Sequence, residues 1–209
     1  MARVKKVKIH SIKCSLKLPV RVELDVVAQS FQIVGSKIKR YPTFIVISQL
    51  PADPDDKHWN PNCKLTLFRY RNQVRKMSFI PIKMRQHCNI CGLKSIKSLA
   101  YIEQILGLLT DCDPSDMKRT IDNICGTKKL PLPIIKSDFV LANRRLCFCQ
   151  FESFPGIILK TPNAVTVLVY ATASCVFKGA KSMTQLQKAN EYVVKCFRRY
   201  VKVLKSNSI

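Results

Sequence analysis

The side chains best suited to chemistry here are thiols and cations. Ten cysteines are present, and Cys88-Asn89-Ile90-Cys91, with His87 beside it, has the spacing of a zinc-ligating pair. A structural zinc site needs a second pair, and none has that spacing. Cys147-Phe148-Cys149 is too close, and Cys63, Cys112 and Cys125 stand alone. Two readings follow: a metal site, or scattered, reduced and mostly buried thiols. A disulfide framework is not expected, because the basic stretch Met1 to Lys8 is followed by no apolar signal core. Catalytic sets are missing as well. Acids are few, and His10, His58 and His87 have no nucleophile partner in a known pattern. The six glycines form no phosphate-binding loop. The chain is therefore expected to be neither an enzyme nor a binder of a cofactor or small-molecule substrate.

The cations point elsewhere. Thirty-six Lys and Arg against 13 Asp and Glu give a net charge of +23 over 209 residues. Such a surface suits a polyanion, since each phosphate neutralised releases condensed counterions. At 47 % hydrophobic residues the chain is too apolar for a disordered basic tail. No run approaches the ~20 apolar residues of a membrane span. The basic stretch Arg69 to Lys76, with Tyr70 inside it, serves equally as a phosphate contact or as a solvent-exposed hairpin.

The elements that position these groups occur twice in the same order. Lys6 to Leu18 alternates apolar and polar residues like a strand, and Pro19 to Gln32 has helical spacing. Arg119 to Lys129 and Pro133 to Asn143 repeat that pair. Tyr41 to Ile47 corresponds to Phe154 to Lys160, and Leu65 to Phe68 corresponds to Val167 to Tyr170. Each half ends on an amphipathic helix. Ser95 can cap the first, and Ser182 with Gln185 forms a capping box for the second. The expected fold class is α+β, an antiparallel sheet covered on one face by two long helices. The halves divide at 1–113 and 114–209, with insertions in the first near 50–62 and 69–87.

Phe154-Pro155-Gly156, Ile121-Asp122-Asn123-Ile124 and Gly179-Ala180-Lys181 together resemble the second repeat of the TATA-box-binding protein family. The likeness runs along residues ~5–204 and is densest over 119–200. It implies a two-repeat saddle whose concave sheet binds the DNA minor groove, with apolar rings wedged between base steps. On that resemblance Asn123 is a base-reading asparagine, with Ser11 at the matching place in the first half. Phe154 and Tyr170 form one wedge pair, and Tyr41 and Phe68 the other. Lys160, Lys178, Lys181, Arg40 and Lys94 fall at or around phosphate-contacting positions. Read without the resemblance, the aromatics suit a sheet core and the lysines a solvated face.

The family's function implies promoter binding and bending that nucleates transcription initiation in the nucleus, or in the transcription compartment of a virus. The implied partners are double-stranded A/T-rich DNA, general transcription factors IIA and IIB, and RNA polymerase. The family's acidic contact for factor IIB corresponds to Gln150-Phe151-Glu152-Ser153, with a single acid. Ser11, Tyr41 and Tyr170 also suit a related factor that acts through protein partners without TATA recognition. A generic basic nucleic-acid-binding protein is the third reading.

Overall fold

The computed structural model describes residues 6–57, 59–69, 86–149 and 153–206. His58, the run Arg69 to Lys76 beyond its first residue, most of the 69–87 insertion and Gln150-Phe151-Glu152 lie outside the described residues. The chain forms two compact units, Ser11–Ile121 and Met1–His10 with Asp122–Ile209. Among the described residues, each contributes an antiparallel sheet and two helices.

In the unit Ser11–Ile121, β1 (Lys8–Leu18), α1 (Leu24–Ile33), β2 (Lys37–Tyr41), β3 (Phe44–Ser48), β4 (Lys64–Phe68), β5 (Gln86–Leu93) and α2 (Lys97–Thr110) follow in sequence. The strand order is β2-β3-β4-β5-β1. Alternation sets one face inward. Cys14, Leu16, Ile45, Ile47, Leu65, Leu67, Cys88 and Ile90 are buried together with Leu99, Ile102 and Leu106 of α2. The helix expected from Pro19 starts only at Leu24. Proline at the head of the segment and β-branched Val20 and Val22 favour extended backbone there. The backbone N–H of Val22 is taken by the Gln86 carboxamide at 2.8 Å. Strand β2 was not foreseen. The loop expected to be an insertion packs onto α2 in its described residues: the Asp56 carboxylate accepts from Ser98 Oγ, and Trp59 meets Tyr101 edge-on at 5.9 Å.

The second unit holds β6 (Lys118–Lys129, its first residues shared with the other unit), α3 (Lys136–Ala142), β7 (Cys147–Phe148), β8 (Ile157–Lys160), β9 (Thr166–Val169), β10 (Ser174–Ala180) and α4 (Met183–Ser206). Its strand order is β6-β10-β9-β8-β7. Leu186, Ala189, Val193, Cys196, Phe197 and Tyr200 form the buried stripe of α4. The capping box is half formed. Ser182 Oγ accepts from Gln185 N–H, but the Gln185 side chain turns to the N–H of Lys181, one residue before the cap.

Tyr200 ties the helical layer together. It is buried against Phe139 and Phe197, accepts from the Ile135 N–H at 3.1 Å and donates to the Pro133 carbonyl at 3.3 Å. Tyr200→Phe removes both partners at once. The expected loss is about 1–3 kcal/mol in urea unfolding, because two hydrogen bonds of about 0.5–1.5 kcal/mol each are removed.

The last strand of each unit carries a bulge at glycine. Gly92 (φ 94°) sits where the β1–β5 register shifts and Gly179 (φ 89°) where β10–β6 shifts. A side chain at that left-handed φ is strained, so glycine allows the face to switch there.

Candidate nucleic-acid interface

Each sheet has a face that its own helices do not cover, and directly paired residues share it. In the unit Ser11–Ile121 the first row is Tyr41, Phe44 and Phe68. Tyr41 stacks on Phe44 at 4.4 Å and 20°, and Phe44 lies 5.7 Å from Phe68. Tyr41 ends β2 rather than opening β3, and Pro42-Thr43 turn the chain so that Phe44 is the residue beside Phe68. Phe44 was missed by the sequence reading. The alternation Phe44, Val46, Ser48 against buried Ile45 and Ile47 was the signal for it. The next row is Lys39, Val46, Thr66, Asn89 and Ser15, and the one after is Lys37, Ser48, Lys64, Cys91 and Lys13. Ser15 Oγ donates to Asn89 Oδ1 at 3.1 Å. Lys17 pairs with His87 beyond them.

In the second unit the central row is Thr127, Val176, Leu168, Ile158 and Phe148, with Phe148 55 % exposed at the sheet edge. Beside it runs Lys178, Thr166 and Lys160, where Lys160 Nζ donates to Thr166 Oγ1 at 3.0 Å. Phe154 and Tyr170 meet with ring centroids 6.2 Å apart, both half-buried. Gly156 makes that pairing possible: a Cβ there would stand 2.8 Å from Phe154 Cε1 and 3.2 Å from Tyr170 Cε1.

Asn123 shares this open face with Cys125 and Thr127, since Ile124 between them is buried. Its Oδ1 accepts the N–H of Gly179 at 2.8 Å and its Nδ2 lies 3.2 Å from Cys125 Sγ. The glycine bulge thus orients the carboxamide, while its donor end rests on a weak acceptor. Ser11 is half-buried, and Lys94 and Lys181 are exposed just past the bulges. Arg40 is not brought to the open face. It pairs with Ile45, a core-side residue, and its guanidinium bonds Asp25 of α1. The structure therefore sets Tyr41 and Phe68 on either side of Phe44, brings Phe154 to Tyr170, places Lys160 and Lys178 on either side of Thr166, and turns Arg40 to the helix side.

The thiol spacing has a geometric answer. Three residues apart in a strand, Cys88 and Cys91 point to opposite faces. Cys88 is buried beside Leu16 and Leu67, whereas Cys91 stands between Lys13 and Lys64 on the open side. Burial pushes the Cys88 thiol up, with Cys91 and Cys63 adding to the shift. A buried thiol held protonated is a poor metal ligand. Among the described residues no cluster of three His, Cys, Asp or Glu could hold a metal, and no helix is long and apolar enough to cross a membrane.

Residues 118–200 match the family described as "Transcription factor TFIID (or TATA-binding protein, TBP)". A search of curated proteins gave no match. Among solved structures the chain is similar to the TBP of Methanococcus jannaschii, with a TM-score of 0.64 and 19 % identity, over 93 % of this chain and 99 % of that one. The expected α+β fold is thus the fold observed. Residues 118–200 thus match the TATA-binding protein family in sequence, and the chain as a whole is similar in fold to a solved protein of that name.

Proposed function

We propose that the protein is a DNA-binding transcription initiation factor that binds and bends A/T-rich promoter DNA through the minor groove and acts without catalysis. The supporting observation is the pairing of solvent-accessible aromatic rings, Phe154 with Tyr170 and Tyr41 with Phe44 and Phe68, on sheet faces that the helices leave open. Rings so placed can enter a base step, and unstacking costs least at pyrimidine–purine steps such as TA. Asn123 exchanges its thiol contact for a base-edge acceptor, and Lys160, Lys178, Lys181 and Lys94 meet phosphates. Two repeats, 1–113 and 114–209, divide the chain in this reading. Bound DNA recruits factors of the IIA and IIB type and RNA polymerase in the nucleus or in a virus's transcription compartment.

The test is a dye-pair bending assay on TATA-containing and G·C-rich duplexes at two salt concentrations. A bend confined to the A·T-rich duplex is expected. Phe154→Ala should abolish the bend while keeping most of the salt-dependent affinity, because wedge and phosphate contacts are separate terms. Equal, unbent binding to both duplexes by the unaltered protein defeats this reading and leaves a partner-recruiting or non-specific role.

A further inference from the structure

The open faces of the two units differ in kind. On that of Ser11–Ile121, Lys13, Lys37 and Lys64 share one row, Lys39 begins the next and Lys17 lies beyond; all five are exposed. Strands β1 to β5 contain no Asp or Glu. The centre of this face is polar, with Thr66 and Asn89 side by side and the Asn89 carboxamide held by Ser15. The matching row of the other unit is apolar at Val176, Leu168 and Ile158.

Lys13, Lys64 and Lys37 stand on alternate strands, about 10 Å apart, with Cys91 and Ser48 between them. Lys39 lies two residues from Lys37 on the same face, so their charges still add to one positive field at a spacing near the Debye length of about 8 Å. An uncompensated lysine field on a folded sheet is destabilising unless an anion covers it. A lysine is also a compact charge on a flexible stem, so it fixes no donor geometry against a base edge. An apolar row behaves differently. A G·C pair raises an amino donor from the minor-groove floor, and Val176, Leu168 and Ile158 can neither bond it nor make room for it.

We propose that the two units divide the work on DNA: Lys13, Lys17, Lys37, Lys39 and Lys64 hold phosphates without regard to sequence, and the Ile158-Leu168-Val176 row supplies the A·T preference. The proposal rests on the minor-groove reading above. None of the five lysines was among the contact residues expected from the sequence.

The experiment measures affinity against salt on A·T-rich and G·C-rich duplexes with the full chain and two variants, each checked for an unchanged circular dichroism spectrum. Replacing the five lysines by glutamine should lower the slope of log K against log salt by about 0.9 per phosphate released, with equal loss on both duplexes. Ile158→Asn with Leu168→Asn should leave the slope intact and bring the ratio of the two affinities toward one. An unchanged slope in the lysine variant, or a loss confined to the A·T-rich duplex, overturns the division. Binding by the unaltered protein that ignores A·T content defeats the minor-groove reading itself, while a reduced slope in the lysine variant would still establish the phosphate-holding face.

Discussion

Above pH 9 the protein should lose stability steeply. Burial pushes the Cys63 and Cys175 thiols from 9.0 up to about 12, and burial raises Cys88 further in the same direction. For Cys63 the neighbouring Cys91 and Cys14 add to the shift against a hydrogen bond from Lys64, while Lys128 partly opposes that of Cys175. A group whose folded pKa is raised contributes stability that is complete below its unfolded value and is lost as pH climbs toward the folded one. Here that window runs from 9 to about 12. Within it the unfolded chain ionises its thiols and the folded chain does not, at a cost on the order of 1.4 kcal/mol per pH unit per thiol. Lys128 acts in the other sense. Burial holds its ammonium below the ordinary value, so rising pH relieves a cost there, but one lysine is set against several thiols. Urea melts in reductant at pH 8, 9 and 10, followed by circular dichroism, should show the midpoint falling at each step. Cys63→Ala with Cys175→Ala should flatten the decline even though it costs some stability at neutral pH. A midpoint flat to pH 10 contradicts the burial of these thiols.

Gly156→Val should abolish DNA bending in a protein that still folds. The new side chain occupies the space between Phe154 and Tyr170, whose ring edges lie 2.8 and 3.2 Å from where its Cβ would stand. Both contacts are ends of side chains, which swing aside more readily than backbone. Overpacking of this kind costs about 1–3 kcal/mol, and here it falls on the open face, away from the core under α4. The measured pair is the melting midpoint and the dye-pair bend: a modest shift in the first with loss of the second is expected. A bend of native size would place the wedging group elsewhere.

Much of this architecture was legible in the sequence because its signals are local. Period-two burial marks β1, β4 and β6, and the apolar stripe from Leu186 to Tyr200 marks α4. What was missed depends on pairing. Lys37–Tyr41 has one buried-side candidate, Ile38, among cations and an aromatic, so its strand character comes from hydrogen bonding to β3. Aligning Tyr41-Pro42 with Phe154-Pro155 set Tyr41 at the wedge position, whereas the hairpin turn brings Phe44 beside Phe68. Arg40 is a cation next to an aromatic in sequence, yet strand alternation sends it to Asp25. The exposed lysines come from three strands, β1, β2 and β4, and line up only once the register is known.

The loop carrying Asp56 and Trp59 has a consequence for assembly. It lies along α2 like a built-in ligand, with Asp56 on Ser98, Trp59 on Tyr101 and Tyr101 Oη donating to the carbonyl of Ala52. A protein approaching that flank meets an acidic, proline-rich loop in place of a bare helix. That flank of α2 is covered by the chain's own loop, so what it presents outward there is set by residues 50–62 and not by the helix alone.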